Sequence, residues 1–84
     1  MYKRKDFATL MPEGYDIMVH LHNIENVNKQ VKISIKGINL KTNTDFVLET
    51  TEDFEPIKVA SKVKSLLLAN NIESAEYTDV TIYQ

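Results

Sequence analysis

From Tyr15 onward two sets of residues alternate, Tyr15, Ile17, Val19 and Leu21 against Asp16, Met18, His20 and His22. A period of two sends successive side chains to opposite faces of an extended chain, so this stretch predicts a half-buried strand. The same period returns where Val31, Ile33 and Ile35 alternate with Lys32, Ser34 and Lys36. It returns again over Asp45 to Thr51, with Phe46 and Leu48 opposite Asp45, Val47 and Glu49. A fourth β-rich run, Glu76 to Tyr83, sets Thr78, Val80 and Ile82 against Tyr77, Asp79, Thr81 and Tyr83. Between the third and fourth runs, Phe54 to Asn71 changes to a helical period. At about 100° per residue, Val59, Ala60, Val63, Leu66 and Leu67 fall within an arc of about 120°. This is the one substantial helix, and its stripe is expected to pack on the apolar side of the sheet. Lys58, Lys62 and Lys64 flank the stripe, where their stems cover its edges and their ammonium groups reach water.

Turn-forming residues divide these runs. Asp6 to Met11 spaces Phe7, Leu10 and Met11 as one or two helical turns, with Asp6 as the cap, before Pro12-Glu13-Gly14 forces a turn. Asn23 to Gln30 reads as a loop into which Ile24 and Val27 tuck. Gly37 marks a bulge or bend, and Lys41 to Thr44 supplies hairpin chemistry with Asn43 accepting a left-handed conformation. Asp53 is the expected helix cap, with Phe54, Glu55 and Pro56 in the first turn. Asn70 and Asn71 are a left-handed stop, after which Ile72 is placed to make an apolar contact. The predicted architecture is a single α+β domain over residues 1–84. It has an antiparallel three-strand meander, one long amphipathic helix on one sheet face, a C-terminal fourth strand beside strand one or three, and a short N-terminal helix. Residues 1–5 (MYKRK) form a basic arm that is mobile unless docked.

Composition narrows the chemistry. The 84-residue chain has no Cys and no Trp, so thiol catalysis, disulfide bonds and cysteine-based zinc sites are excluded. A domain this small without disulfides depends on good packing or association. The net charge of −2 is too mild for a polyphosphate-binding footprint or a DNA mimic, and the only arginine is Arg4. No apolar run reaches the length of a membrane span and no signal-peptide pattern opens the chain, so a cytoplasmic location is expected. Abundant Lys, Asn and Ile with two Gly and two Pro points to AT-rich coding, as in low-GC bacteria and their phages.

His20 and His22, the only histidines, project from one strand face at a spacing that can ligate a metal. A third ligand, Glu49 or Asp45, reaches them only if strand order permits, and two solvated histidines are the favoured alternative. No nucleophile elbow, phosphate loop or dinucleotide fingerprint is present. No catalytic residue, cofactor or metal site is assigned, and an enzyme is not expected. Two surfaces remain. The open sheet face presents Met18, His20, His22, Lys32, Lys36, Tyr77 and Tyr83, and a helix row opposite the core presents Ile57, Leu68 and Ile72. The plain reading of the first is an ordinary wet sheet face, and of the second, cover by Phe7, Leu10 and Met11 of the N-terminal segment.

The order short helix, three strands, long helix resembles a double-stranded RNA-binding domain, with Lys58, Lys62 and Lys64 at the positions of that family's phosphate-contacting lysines. The chain departs from the family in having acidic Thr51-Glu52-Asp53 where a basic, Gly-containing loop belongs, and in adding a fourth strand. The expected function is a small non-enzymatic protein-binding module, of the kind phages and mobile elements encode as modulators or inhibitors. One alternative is a weak nucleic-acid binder using the Lys/Tyr sheet face and the basic arm. Another is a structural homo-oligomer subunit built on the outer helix row.

Overall fold

A computed structural model of the chain describes residues 2–25 and 29–84. Val27 lies outside them. The elements are α1 (Arg4–Ala8), β1 (Ile17–His22), β2 (Gln30–Asn39), β3 (Thr44–Asp53), α2 (Pro56–Ala69) and β4 (Ala75–Tyr83). The class is α+β as expected, with both helices on one side of a four-stranded mixed sheet.

The sheet is not a meander. Its order is β1-β4-β2-β3, with β4 parallel to β1 and antiparallel to β2. Only β2 and β3 pair as a hairpin, across a turn in which Asn43 takes φ = 56° and donates its N–H to the Asn39 carbonyl at 2.7 Å. The Asn23–Lys29 connection is longer than the about 2–5 residues of a hairpin loop, so it does not hold β1 against β2. Strand β4 enters the gap instead, and its inward residues Val80 and Ile82 are fully buried there. The alternation of all four strands matches burial. Val19, Val31, Ile33 and Ile35 are fully buried, while Ile17, Leu21, Phe46 and Leu48 pack around them, half-buried. Each such aliphatic side chain removed from water contributes about 1.5–3 kcal/mol.

Helix α2 starts later than expected. Pro56 disfavours helical geometry in the residue before it, so Glu55 stays extended (φ −132°, ψ 131°) and serves as N-cap, not Asp53. Asp53 ends β3 and, with Glu55, pairs Lys58 at 3.0 and 3.3 Å. Phe54 therefore precedes the helix and is buried. It stacks on Phe7 with centroids 5.2 Å apart, and Tyr2 meets both rings edge-on. The basic arm is thus docked by its aromatic residue, while Lys3, Arg4 and Lys5 remain exposed. Asp6 is not the cap of α1 but its third residue, where its carboxylate accepts the Lys3 N–H at 2.8 Å.

On α2 the predicted stripe is buried at Val59, Ala60, Val63 and Leu67 and half-buried at Leu66. The stop is as the sequence suggests. Asn71 is left-handed (φ 61°), its N–H reaches the Leu68 carbonyl at 3.0 Å, and the Ile72 N–H reaches that of Leu67 at 3.0 Å. Ile72 is consequently past the helix and in the core, not on the outer row, and its carbonyl accepts the Tyr15 hydroxyl at 2.8 Å.

Candidate functional site

With both helices on one side, no element among the described residues covers the other side of the sheet, and the strand register arranges it in three cross-strand rows. Met18, Asp79, Lys36 and Val47 form the first, running β1 to β3. His20, Thr81, Ser34 and Glu49 form the second; His22, Tyr83, Lys32 and Thr51 form the third. Six of the seven sheet-face candidates, Met18, His20, His22, Lys32, Lys36 and Tyr83, lie in these rows, and Tyr77 stands outside them, beside Met18 and Asp79 around one hollow. The large apolar side chains here are well exposed, Met18 at 55%, Val47 at 60% and Tyr77 at 72%.

The rows also separate the histidines from the two expected third ligands. Strands β1 and β3 are the two edges, so Glu49 and Asp45 stand three strand spacings, about 14 Å, from the histidine strand. His20 turns instead to Asp79, donating from Nε2 to Oδ1 at 3.0 Å. Among the described residues no group of three or more His, Cys, Asp or Glu is placed to hold a metal ion.

Charge is divided between the layers. The arm and α1 carry Lys3, Arg4 and Lys5 against Asp6, and α2 carries Lys58, Lys62 and Lys64 with no acid. Strand β3 carries Asp45, Glu49, Glu52 and Asp53 with no Lys or Arg, and such an edge resists pairing with a like strand. On the open face Lys32 and Lys36 are confined to β2, between acidic residues of β3 and Asp79 of β4.

A bulge shapes one corner of the face. Lys36 pairs with Asp79 but Ile38 with Glu76, so Tyr77 and Thr78 on β4 together oppose Gly37 on β2. The glycine predicted as a bulge or bend is the partner of the bulge, and the extra residue is on the other strand. A Cβ on Gly37 would stand 2.9 Å from both the Phe46 ring and Thr78 Oγ1, which explains the glycine. Tyr77 takes φ = 53°, and Asp16, just ahead of the β1–β4 ladder on the neighbouring strand, takes φ = 50°. Between them lies a hollow of about 200 Å³ lined by Asp16, Ile17, Met18, Tyr77, Thr78 and Asp79. Asp16 and Asp79 were not singled out as site residues from sequence, because their meeting depends on β4 lying beside β1.

The helix row is partly retained. Ile57 (72%) and Leu68 (48%) are exposed, and the N-terminal segment does not cover them, because Phe7 goes into the core. Leu10 and Pro12 flank a groove of about 280 Å³ with Ile57, Ala60, Ser61 and Lys64. Two groups have shifted proton affinities. Burial, then the Glu73 carboxylate, raises the Tyr15 phenol above its usual value, and hydrogen bonds to Asp53 and Glu55 raise exposed Lys58.

No known protein family, curated protein or solved structure matches this chain. The resemblance to a double-stranded RNA-binding domain also weakens on topology, since β4 separates β1 from β2. No helix among the described residues is long and apolar enough to cross a membrane.

Proposed function

We propose that this domain is a protein-binding module that acts by burying its open sheet face against a partner, without chemistry of its own. The observation that carries the reading is the uncovered face itself, where Met18, Val47 and Tyr77 stand exposed among His20, His22, Lys32, Lys36 and Tyr83. Aromatic and Met side chains set in a mixed polar surface are the composition of protein interfaces. Among the described residues the one His–carboxylate pair on this face, His20 with Asp79, is exposed and has no Ser, Cys or Lys nucleophile lining the hollow beside it, which supports binding over chemistry. Binding of nucleic acid through the Lys/Tyr face is less well supported, because Asp79, Asp45 and Glu49 flank the two lysines and repel phosphate.

The test is partner capture from a native lysate at low and high salt by three proteins. These are the wild type, a face variant (Val47→Glu with Tyr83→Glu) and a helix variant (Ile57→Glu with Leu68→Glu). The expected result is a protein retained at high salt by the wild type and the helix variant and lost by the face variant. Nucleic acid released by salt, or a partner lost only by the helix variant, overturns the assignment.

A further inference from the structure

Tyr77 sits at a position where the backbone favours glycine. A left-handed φ is strained for an aromatic residue, and a bulge residue in that conformation is ordinarily Gly. The ring is largely exposed and, among the described residues, makes no hydrogen bond, ion pair or ring contact. Strain retained without an intramolecular return marks residues used for recognition. The ring borders the hollow that also holds Met18 and the carboxyl-bearing Asp16 and Asp79. Neither carboxylate is in an ion pair with a Lys or Arg among the described residues, and Asp79 is oriented by His20. Lys36 faces Asp79 from β2 but does not line the hollow.

We propose that this hollow is the anchor point of the open face and takes a basic side chain, an arginine in preference to a lysine, from a partner protein. The carboxylates supply opposite charge, Met18 and Ile17 supply apolar contact for the methylene stem, and the Tyr77 ring supplies a face on which a planar guanidinium stacks. Arginine exceeds lysine here because it offers a flat fork to carboxylate and ring together. The proposal rests on the open-face reading and names the partner chemistry that face selects.

Amide NMR titration of the full chain with capped arginine amide, capped lysine amide and capped norleucine amide tests it without needing the partner. Arginine is expected to give saturable, millimolar shifts confined to residues 16–18 and 77–79, with lysine weaker and norleucine weaker still. Tyr77→Gly and Tyr77→Asn both suit a left-handed backbone. Each is expected to weaken arginine binding about five-fold, the scale of an exposed cation–π contact, with a melting temperature unchanged or raised. Asp16→Asn is expected to weaken it as well. Equal responses to arginine and norleucine, shifts spread over Glu49 and other distant acids, or unaltered arginine binding by both Tyr77 variants overturn the proposal. Those results leave the partner-capture experiment untouched. A capture that ignores the face variant would sink the parent reading whatever the titration shows.

Discussion

On the helix-covered face of the sheet, Val19, Ile33, Ile35, Val80 and Ile82 are fully buried, whereas on the opposite face Met18, Val47 and Tyr77 stand mostly in water. The two faces share the same four backbones, and successive residues of one strand belong to one or the other. They differ in how tightly each position is specified. On the covered face the residue is set by space, to the point that β2 has Gly37 because a methyl group there would collide with Phe46 and Thr78. Across the same bulge β4 has an exposed aromatic, Tyr77, where the backbone would favour glycine. Folding alone accounts for the first glycine and does not account for the tyrosine. That asymmetry adds to the proposal that the open face, and not the better-packed one, meets a partner.

The comparison breaks most visibly if truncations on the two faces have similar effects. Ile35→Ala removes a fully buried side chain from a central strand and is expected to lower stability by about 2–5 kcal/mol in urea denaturation. Met18→Ala on the other face should stay within about 0.5 kcal/mol of the wild type. Comparable losses would mean that the open face is part of a core.

Gly37→Ala sharpens the account of the bulge. The added methyl meets the Phe46 ring and Thr78 Oγ1 at 2.9 Å, and the ring must move, at an expected loss of about 1–3 kcal/mol. A wild-type melting temperature for this variant would show that the bulge has room to spare, and the explanation of Gly37 would fail.

The smallest loss expected on the covered side concerns the end of that layer. Tyr15→Phe removes the hydrogen bond to the Ile72 carbonyl and should cost about 1 kcal/mol at neutral pH. It should also change the alkaline limb. The folded-state value of the phenol lies above its unfolded value of 10.0, so the fold holds that proton more tightly. The resulting stability is complete below pH 10.0 and is lost as pH rises through the folded value. Lys58, also raised, acts in the same direction in both proteins and cancels in the comparison. Stability measured from pH 9 upward should therefore fall less steeply for Tyr15→Phe, and parallel curves would remove Tyr15 as a source of the pH dependence.

Much of this was legible in advance. The inward sets of all four strands, the Val59/Val63/Leu67 stripe and the Asn71 stop were all readable from periods and turn residues. The helix start was readable too, had the constraint of Pro56 on Glu55 been weighed above the capping preference of Asp53. Ile72 leaves the outer row because the Asn70-Asn71 stop ends the helix before it, so a helical angle does not apply to it. Which ladder residues share the open face was also readable, since a face needs only the period of two; the bulge at Tyr77 and Thr78, where that period breaks, was not. The hollow was not, because Asp16 and Tyr77 lie far apart in the chain and meet only through the parallel β1–β4 ladder.

The amino-acid sequence by itself determined the elements, the buried side of each, and which side chains share the uncovered face, because these depend on residues within a turn or two of one another. Tertiary structure alone decided that β4 lies between β1 and β2. That placement sets the histidine strand three strand spacings, about 14 Å, from the strand of Glu49 and Asp45, and it brings Asp16 and Tyr77 to the rim of one hollow. The physical reason is that strand order is chosen by competition among long-range pairings whose local patterns look alike, and β4 wins the central gap by burying its apolar side between two neighbours.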